Sequence, residues 1–379
     1  MRKRWMSWAA LAVLVLVGLV SWRPASFHAR AAALLLRFAS DSPGPFGALG
    51  RYDIDEEPAN FGSGGGVVPA RIYIPRGRTN PPRLVLLHGV HHLGIQEPRL
   101  IRFARTLASA GVLVFTPQLQ ELADYQVRPS SIQTVGDAVH AMAGTPGAPR
   151  VGVMGLSFAG AIGLLAAADP HYASQVGYVV SVGTHDDLAR VSRFFATNEI
   201  PLTDGGSAKL QAHPYGALVL IYSHASDFFD SADVTVARDA LRLWLWEDRT
   251  AARQKLEGLS PAARQRLDAL FSDHLDALRP ELLACIERHG SEMAAVSPKG
   301  RLASLTVPVL LVHGAGDTVI PPSETRWLAR EVPPAELEQE LISPVLQHVE
   351  LEGRSSWKDQ LALVHFMASV LREADASRR

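Results

Sequence analysis

Gly155-Leu-Ser157-Phe-Ala159-Gly160 places one hydroxyl among small residues, directly after the run Val151-Gly-Val-Met154. The pattern predicts a strand, a sharp turn with the serine at its apex, and a small-residue helix over 159–169. So tight a turn forces strained backbone angles on the serine, so its neighbours must be small. The same geometry lifts the hydroxyl clear of the sheet, above a helix N-terminus. Such a hydroxyl is suited to attack a carbonyl carbon. Ala159 stands where the strict G-x-S-x-G pattern has its second glycine, and Gly160 follows at once. The alternative is a Gly/Ala-rich strand-to-helix turn whose serine is incidental.

A serine hydroxyl is a weak nucleophile near neutral pH and needs a base, which in turn needs an orienting group. Asp317 follows the apolar run Val307-Pro-Val-Leu-Leu-Val-His313 and sits in Gly-Ala-Gly-Asp317, a loop beyond a buried strand. An aspartate there also suits a turn that bonds its own backbone. His348 follows Glu340-Leu-Ile-Ser-Pro-Val-Leu-Gln, which reads as a last strand running into a loop. Ser356-x-x-Asp359 then opens a last helix as a capping box. A histidine between last strand and last helix stands on the rim of a doubly wound sheet, where such folds bind ligands. The chain has 14 histidines, so position carries that assignment.

The order Ser157, Asp317, His348 distinguishes this set from the other serine-protease orders, and with it the chain resembles the α/β-hydrolase superfamily over about residues 66 to 372. The resemblance implies a doubly wound, mostly parallel sheet. It also implies an oxyanion hole made by the N–H groups of Phe158, after the nucleophile, and Val90, after His88-Gly89. Such donors are worth about 3 kcal/mol each in the transition state. His88 is expected to bridge loops beneath the site. Some members carry the acid one strand earlier, which here makes Asp186 and Asp187 the alternative acids; both also suit capping of the following helix. The superfamily implies no cofactor and no metal, and His91, His92 and His185 have no zincin-like spacing.

These residues need a scaffold. Val67–Pro75, Leu84–His88, Val112–Thr116, Val151–Met154, Tyr178–Val182 and Val307–His313 read as strands. Helical stretches over Pro98–Ala110, Ser131–Met142 and Ala159–Ala168 separate several of them, and strand alternating with helix argues a doubly wound sheet. The expected organisation is a membrane segment over 1–24 and a linker and entry segment over 25–65. The core follows over 66–186 and 301–379, interrupted by a helical cap over 187–300. Phe194, Phe195, Phe228 and Phe229 suit either an acyl pocket or the cap's own core. Cys285, the single cysteine, reads as a small core residue.

The net charge of −1 and the lack of a long basic run argue against nucleic-acid binding. Trp5 to Trp22 carries no charge, and 18 residues at 1.5 Å rise span about 27 Å, enough for a hydrocarbon core. Trp5, Trp8 and Trp22 suit its interfaces, and Arg2, Lys3 and Arg4 favour a cytoplasmic N-terminus. The expectation is a single-pass anchor with an exported domain; the alternative is a cleaved leader and secretion. An anchor and a cap together suit a lipophilic acyl substrate, a carboxylic ester before a thioester, an amide, a peptide or a carbon–carbon bond. A hydrolase-fold binding protein without turnover is the reading from another class.

Overall fold

A computed structural model describes residues 25–144, 149–347, 350–351 and 356–378. The chain enters through a helix over residues 25–39 (α1). The core strands are β1 (Ile54–Ser63), β2 (Gly66–Pro75), β3 (Arg83–Leu87), β4 (Leu113–Pro117), β5 (Val151–Leu156), β6 (Val176–Val182), β7 (Val309–Gly314) and β8 (Leu337–Ser343). They form one sheet in the order β1-β2-β4-β3-β5-β6-β7-β8. From β4 to β8 neighbours run parallel, while β1–β2 and β2–β4 are antiparallel. Gly64 and Gly65, both at positive φ, make the two-residue turn of the β1–β2 hairpin.

Helices cover both faces, as a parallel sheet requires. On one face lie α3 (Ser130–Ala143) and α4 (Phe158–Ala168), packed through Val135, Val139 and Ile162. On the other lie α1, α2 (Pro98–Ser109) and α11 (Trp357–Ala376), packed through Leu34, Leu100, Leu107 and Phe366. Ser356 opens α11 with both halves of a capping box. With the strand–turn–helix at Ser157, this is the α/β-hydrolase fold.

Between β6 and β7 run α5 (Leu188–Thr197), α6 (Pro214–Ser223), α7 (Val234–Leu245), α8 (Pro261–Phe271) and α9 (Arg279–Arg288). They bury a second apolar cluster of their own, which contains Phe194, Phe195, Phe228 and Phe229. Pro280 lies in the first turn of α9, where its missing N–H costs nothing, so it starts this helix and does not kink one. After β7, α10 (Ser323–Glu331) leads to β8.

The linker expected over 25–65 is corrected. Residues 25–39 are helical and bury Ala31, Ala33 and Leu34, and 54–63 are the edge strand β1. Only Phe61 of β1 is buried, so the strand lacks an apolar alternation, and Glu56, Glu57 and Pro58 mark it as an edge that resists further pairing. The membrane segment expected over 1–24 lies outside the described residues. Among the described residues no helix is long and apolar enough to cross a membrane.

Candidate active site

Ser157 sits between β5 and α4 at φ 55°, ψ −135°, in the positive-φ region that a non-glycine residue adopts only under constraint. Its N–H is fixed to Val182 O (2.8 Å). The small neighbours have distinct roles. A Cβ on Gly155 would lie 2.5 Å from Ala159 O and from Gly160 Cα. A Cβ on Gly160 would lie 2.8 Å from Thr184 Cβ, so close packing against the next strand falls on Gly160. Ala159 is fully buried in the α3–α4 cluster, where a methyl fits, which explains the departure from the strict motif.

The β3 loop faces this turn. A Cβ on Gly89 would come within 3.3 Å of Ser157 Cβ. Leu119 N–H donates to His88 Nε2 (2.9 Å), so the ring's proton is on Nδ1, which donates to Gly89 O (2.7 Å). Burial lowers the His88 pKa to about 4, so the ring stays neutral and ties two loops together. Among the described residues neither Val90 N–H nor Phe158 N–H has a partner; the first N–H groups of any helix are unpaired in this way. Tyr215 Oη, from the first turn of α6, donates to Val90 O (2.9 Å) and anchors the loop to the cap. That contact joins residues 125 apart in the chain, and no local pattern announces it.

Ser157 opens onto a cavity of about 610 Å³, within the range of small-molecule sites. Its lining includes Val90, His91, Tyr215 and Trp244 as well as the apolar Leu35, Phe38, Phe103 and Phe366. The phenylalanines expected as pocket candidates, Phe194, Phe195, Phe228 and Phe229, do not line it. Two of the walls come from α1, the segment expected to be a linker.

Asp317 is fully buried in the loop after β7. Its Oδ1 accepts the N–H groups of Val319 (2.8 Å) and Ile320 (3.0 Å), and Oδ2 lies 3.3 Å from His313 Nε2. His313 Nε2 also donates to Ile320 O (2.9 Å), while Nδ1 accepts from Thr325 Oγ1 (2.7 Å). The strand-end histidine thus braces the loop that carries the acid. Val319, two residues after Asp317, lines the Ser157 cavity, while Asp317 itself does not. His348 lies outside the described residues; Leu346, two residues earlier, lines the cavity.

Asp187 caps α5, accepting from Ala189 N (3.0 Å) and Arg190 N (3.2 Å), and pairs with Lys299 Nζ (2.9 Å). Asp186 pairs with Arg190 (2.9 Å) beside Glu324, whose carboxylate holds Arg190 Nε (2.6 Å) and the N–H groups of Asp186 and Asp187. Burial, partly offset by Arg190, raises the Asp186 pKa to about 6. Neither aspartate lines the cavity. His91 and His92 stack on each other, and His92 stacks on Trp246. Buried His185 bonds Val296 O, and among the described residues these three histidines do not form a ligand cluster.

No family model matches the chain, and no curated protein matches it. Solved structures overlay on it at low identity. Est1E from Butyrivibrio proteoclasticus does so with a TM-score of 0.44 at 11% identity, over 83% of this chain and 98% of its own. The 2-hydroxy-6-oxo-6-phenylhexa-2,4-dienoate hydrolase of Rhodococcus sp. strain RHA1 gives 0.44 at 18%, over 83% and 99%. A 2,6-dihydroxy-pseudo-oxynicotine hydrolase gives 0.47 at 15%, over 83% and 68%. One fold hosts many chemistries, so function at this distance is argued from the site.

Proposed function

We propose that the chain is a serine hydrolase that cleaves a lipophilic carboxylic ester through an acyl-enzyme. The observation that carries this reading is Ser157, held at positive φ where it lines an apolar cavity, with the Val90 and Phe158 N–H groups unpaired among the described residues. Ser157 Oγ attacks the ester carbon as His348 takes its proton. The N–H groups of Val90 and Phe158 bind the oxyanion. His348 then returns the proton to the departing alkoxide, and water repeats the sequence on the acyl-enzyme. Asp317 orients the imidazole and stabilises its charged form. Asp317 is favoured over Asp186 and Asp187 because its loop reaches the cavity at Val319, while they are engaged in an ion cluster and a helix cap. Leu346 at the cavity supports His348 as the base.

The apolar lining by Leu35, Phe38, Phe103 and Phe366 suits a lipophilic acyl group. Residues 1–24 then anchor the protein in a membrane with the catalytic domain on the non-cytoplasmic side, and α1 links that segment to the cavity. Labelling by a fluorophosphonate, lost in Ser157→Ala, tests the nucleophile. A p-nitrophenyl ester series from acetate to palmitate tests the substrate, with rates expected to rise toward longer chains. No labelling and no turnover across the series would leave a binding protein on this fold. Labelling with turnover of thioesters or amides alone would move the substrate and keep the nucleophile.

A further inference from the structure

The cap gathers four side chains of metal-ligand type away from the Ser157 cavity. His224 follows α6, and Asp227 stands three residues on, in the short turn Ala225–Asp227. Cys285 lies on α9, and His289 follows four residues later, which sets both on one helical face. The ligand atoms of His224, Cys285 and His289 all lie within 4.8 Å of one another. His289 Nε2 is 3.1 Å from Asp227 Oδ2. Asp227 also pairs with Arg288 (2.8 Å).

An ion-pair network explains Asp227, Arg288 and His289. It does not explain why Cys285, 1% exposed, faces two imidazoles, nor why the His224 ring stacks at 3.8 Å on the His289 ring. A second feature points the same way. Glu292 Oε1 lies 3.2 Å from His289 Nδ1 and so directs Nε2 into the cluster. Carboxylate bonding to the distal nitrogen is the usual support of a metal-binding histidine.

We propose that His224, Asp227, Cys285 and His289 bind one zinc ion, with Glu292 orienting His289. The set supplies sulfur, nitrogen and oxygen donors, all types that zinc takes, as pairs from two segments, His-x₂-Asp and Cys-x₃-His. Bonds of about 2.0–2.3 Å place ligand atoms about 3.3–3.8 Å apart, so the three atoms now within 4.8 Å of one another draw closer and Asp227 turns in from Arg288 to complete the site. The thiol proton leaves on binding, since the thiolate is the ligand. The ion would clamp α6 to α9, and α6 carries the Tyr215 that holds Val90.

Cobalt(II) tests this on the full-length, tag-free chain in detergent micelles after chelator treatment. The expected result is one cobalt per chain, with a thiolate-to-cobalt charge-transfer band in the near ultraviolet that stoichiometric zinc abolishes. Cys285→Ala should remove the band. Glu292→Gln, which leaves all four ligands in place, should weaken binding about 10–100-fold, the usual effect of losing such a support. If Cys285→Ala fails to fold, Asp227→Asn takes its place, with a weakened and shifted spectrum expected. Absence of saturable cobalt binding, or a band that persists in Cys285→Ala, overturns the site. Fluorophosphonate labelling of Ser157 reads the hydrolase proposal separately, so either idea can fail alone.

Discussion

Asp186 and Asp317 follow β6 and β7, which lie side by side in the sheet, and both carboxyl groups are almost fully buried. Their surroundings diverge. Asp186 shares Arg190 with Glu324 in a compact cluster, and the Arg190 guanidinium also lies over the Trp327 ring at 4.7 Å. Asp317 is cradled by backbone N–H groups of its own loop and braced by His313. The Asp186 carboxylate holds Arg190 of α5, which the Glu324 carboxylate of α10 also grips. Among the described residues, Asp317 keeps its contacts within its own loop and strand end, two residues before Val319, which lines the cavity. The position of an acid after a buried strand therefore does not decide its role; its partners do.

Four experiments test that contrast, beginning with the nucleophile both acids could serve. Ser157→Ala should lower kcat by about 10⁶ with thermal unfolding unchanged, the cost of losing a triad nucleophile. Ester hydrolysis at the wild-type rate by the folded variant would remove the premise. Asp317→Asn should lower kcat by about 10⁴, as orienting-acid substitutions do, while Asp186→Asn and Asp187→Asn stay near wild type. An inactive Asp186 or Asp187 variant would reverse the comparison.

Arg190→Leu should act on stability. It leaves Asp186 and Glu324 buried beside each other without their cation, and breaking such a pair costs about 3–5 kcal/mol. Denaturant melts should show this loss with kcat per folded molecule retained. The smallest effect is a pH dependence. The Asp186 pKa, near 3.8 when unfolded, is raised to about 6 on folding. The folded protein therefore holds this proton more tightly. The resulting stabilisation is complete below about pH 4 and lost as pH rises through 6. Asp186→Asn stays neutral throughout, so its Tm should rise relative to wild type between pH 4 and 7. A Tm difference that is flat with pH would place the raised pKa elsewhere.

Much of the scaffold was legible because parallel strands are short apolar runs and their helices carry apolar faces. The elbow was legible in its small residues, and the structure adds why Ala159 is tolerated: the close contact falls on Gly160. The cap role of Asp187 could be read locally, from an aspartate directly before a helix. The fate of Asp186 could not, since Glu324 lies 138 residues further along the chain. β1 was hidden because an edge strand with one buried side chain has no alternation to detect. α1 was hidden by its neighbours: the Gly/Pro/Ser-rich stretch after it suggested a linker, and the walls it gives the cavity are visible only in three dimensions.

The joining of α1 to α11 has a consequence in time. His28 bonds His365, and Arg30 pairs with Asp375, partners 337 and 345 residues apart in the chain. At about 5–20 residues per second, a helix at one end waits roughly 20–70 s for its partner at the other to be synthesised. Throughout that interval the apolar face of Ala31, Ala33 and Leu34 lacks part of its cover. A premature stop before α11 would make that exposure permanent and strip apolar faces at opposite ends of the message. Truncations there should be cleared as misfolded chains even though every residue of the elbow has been made.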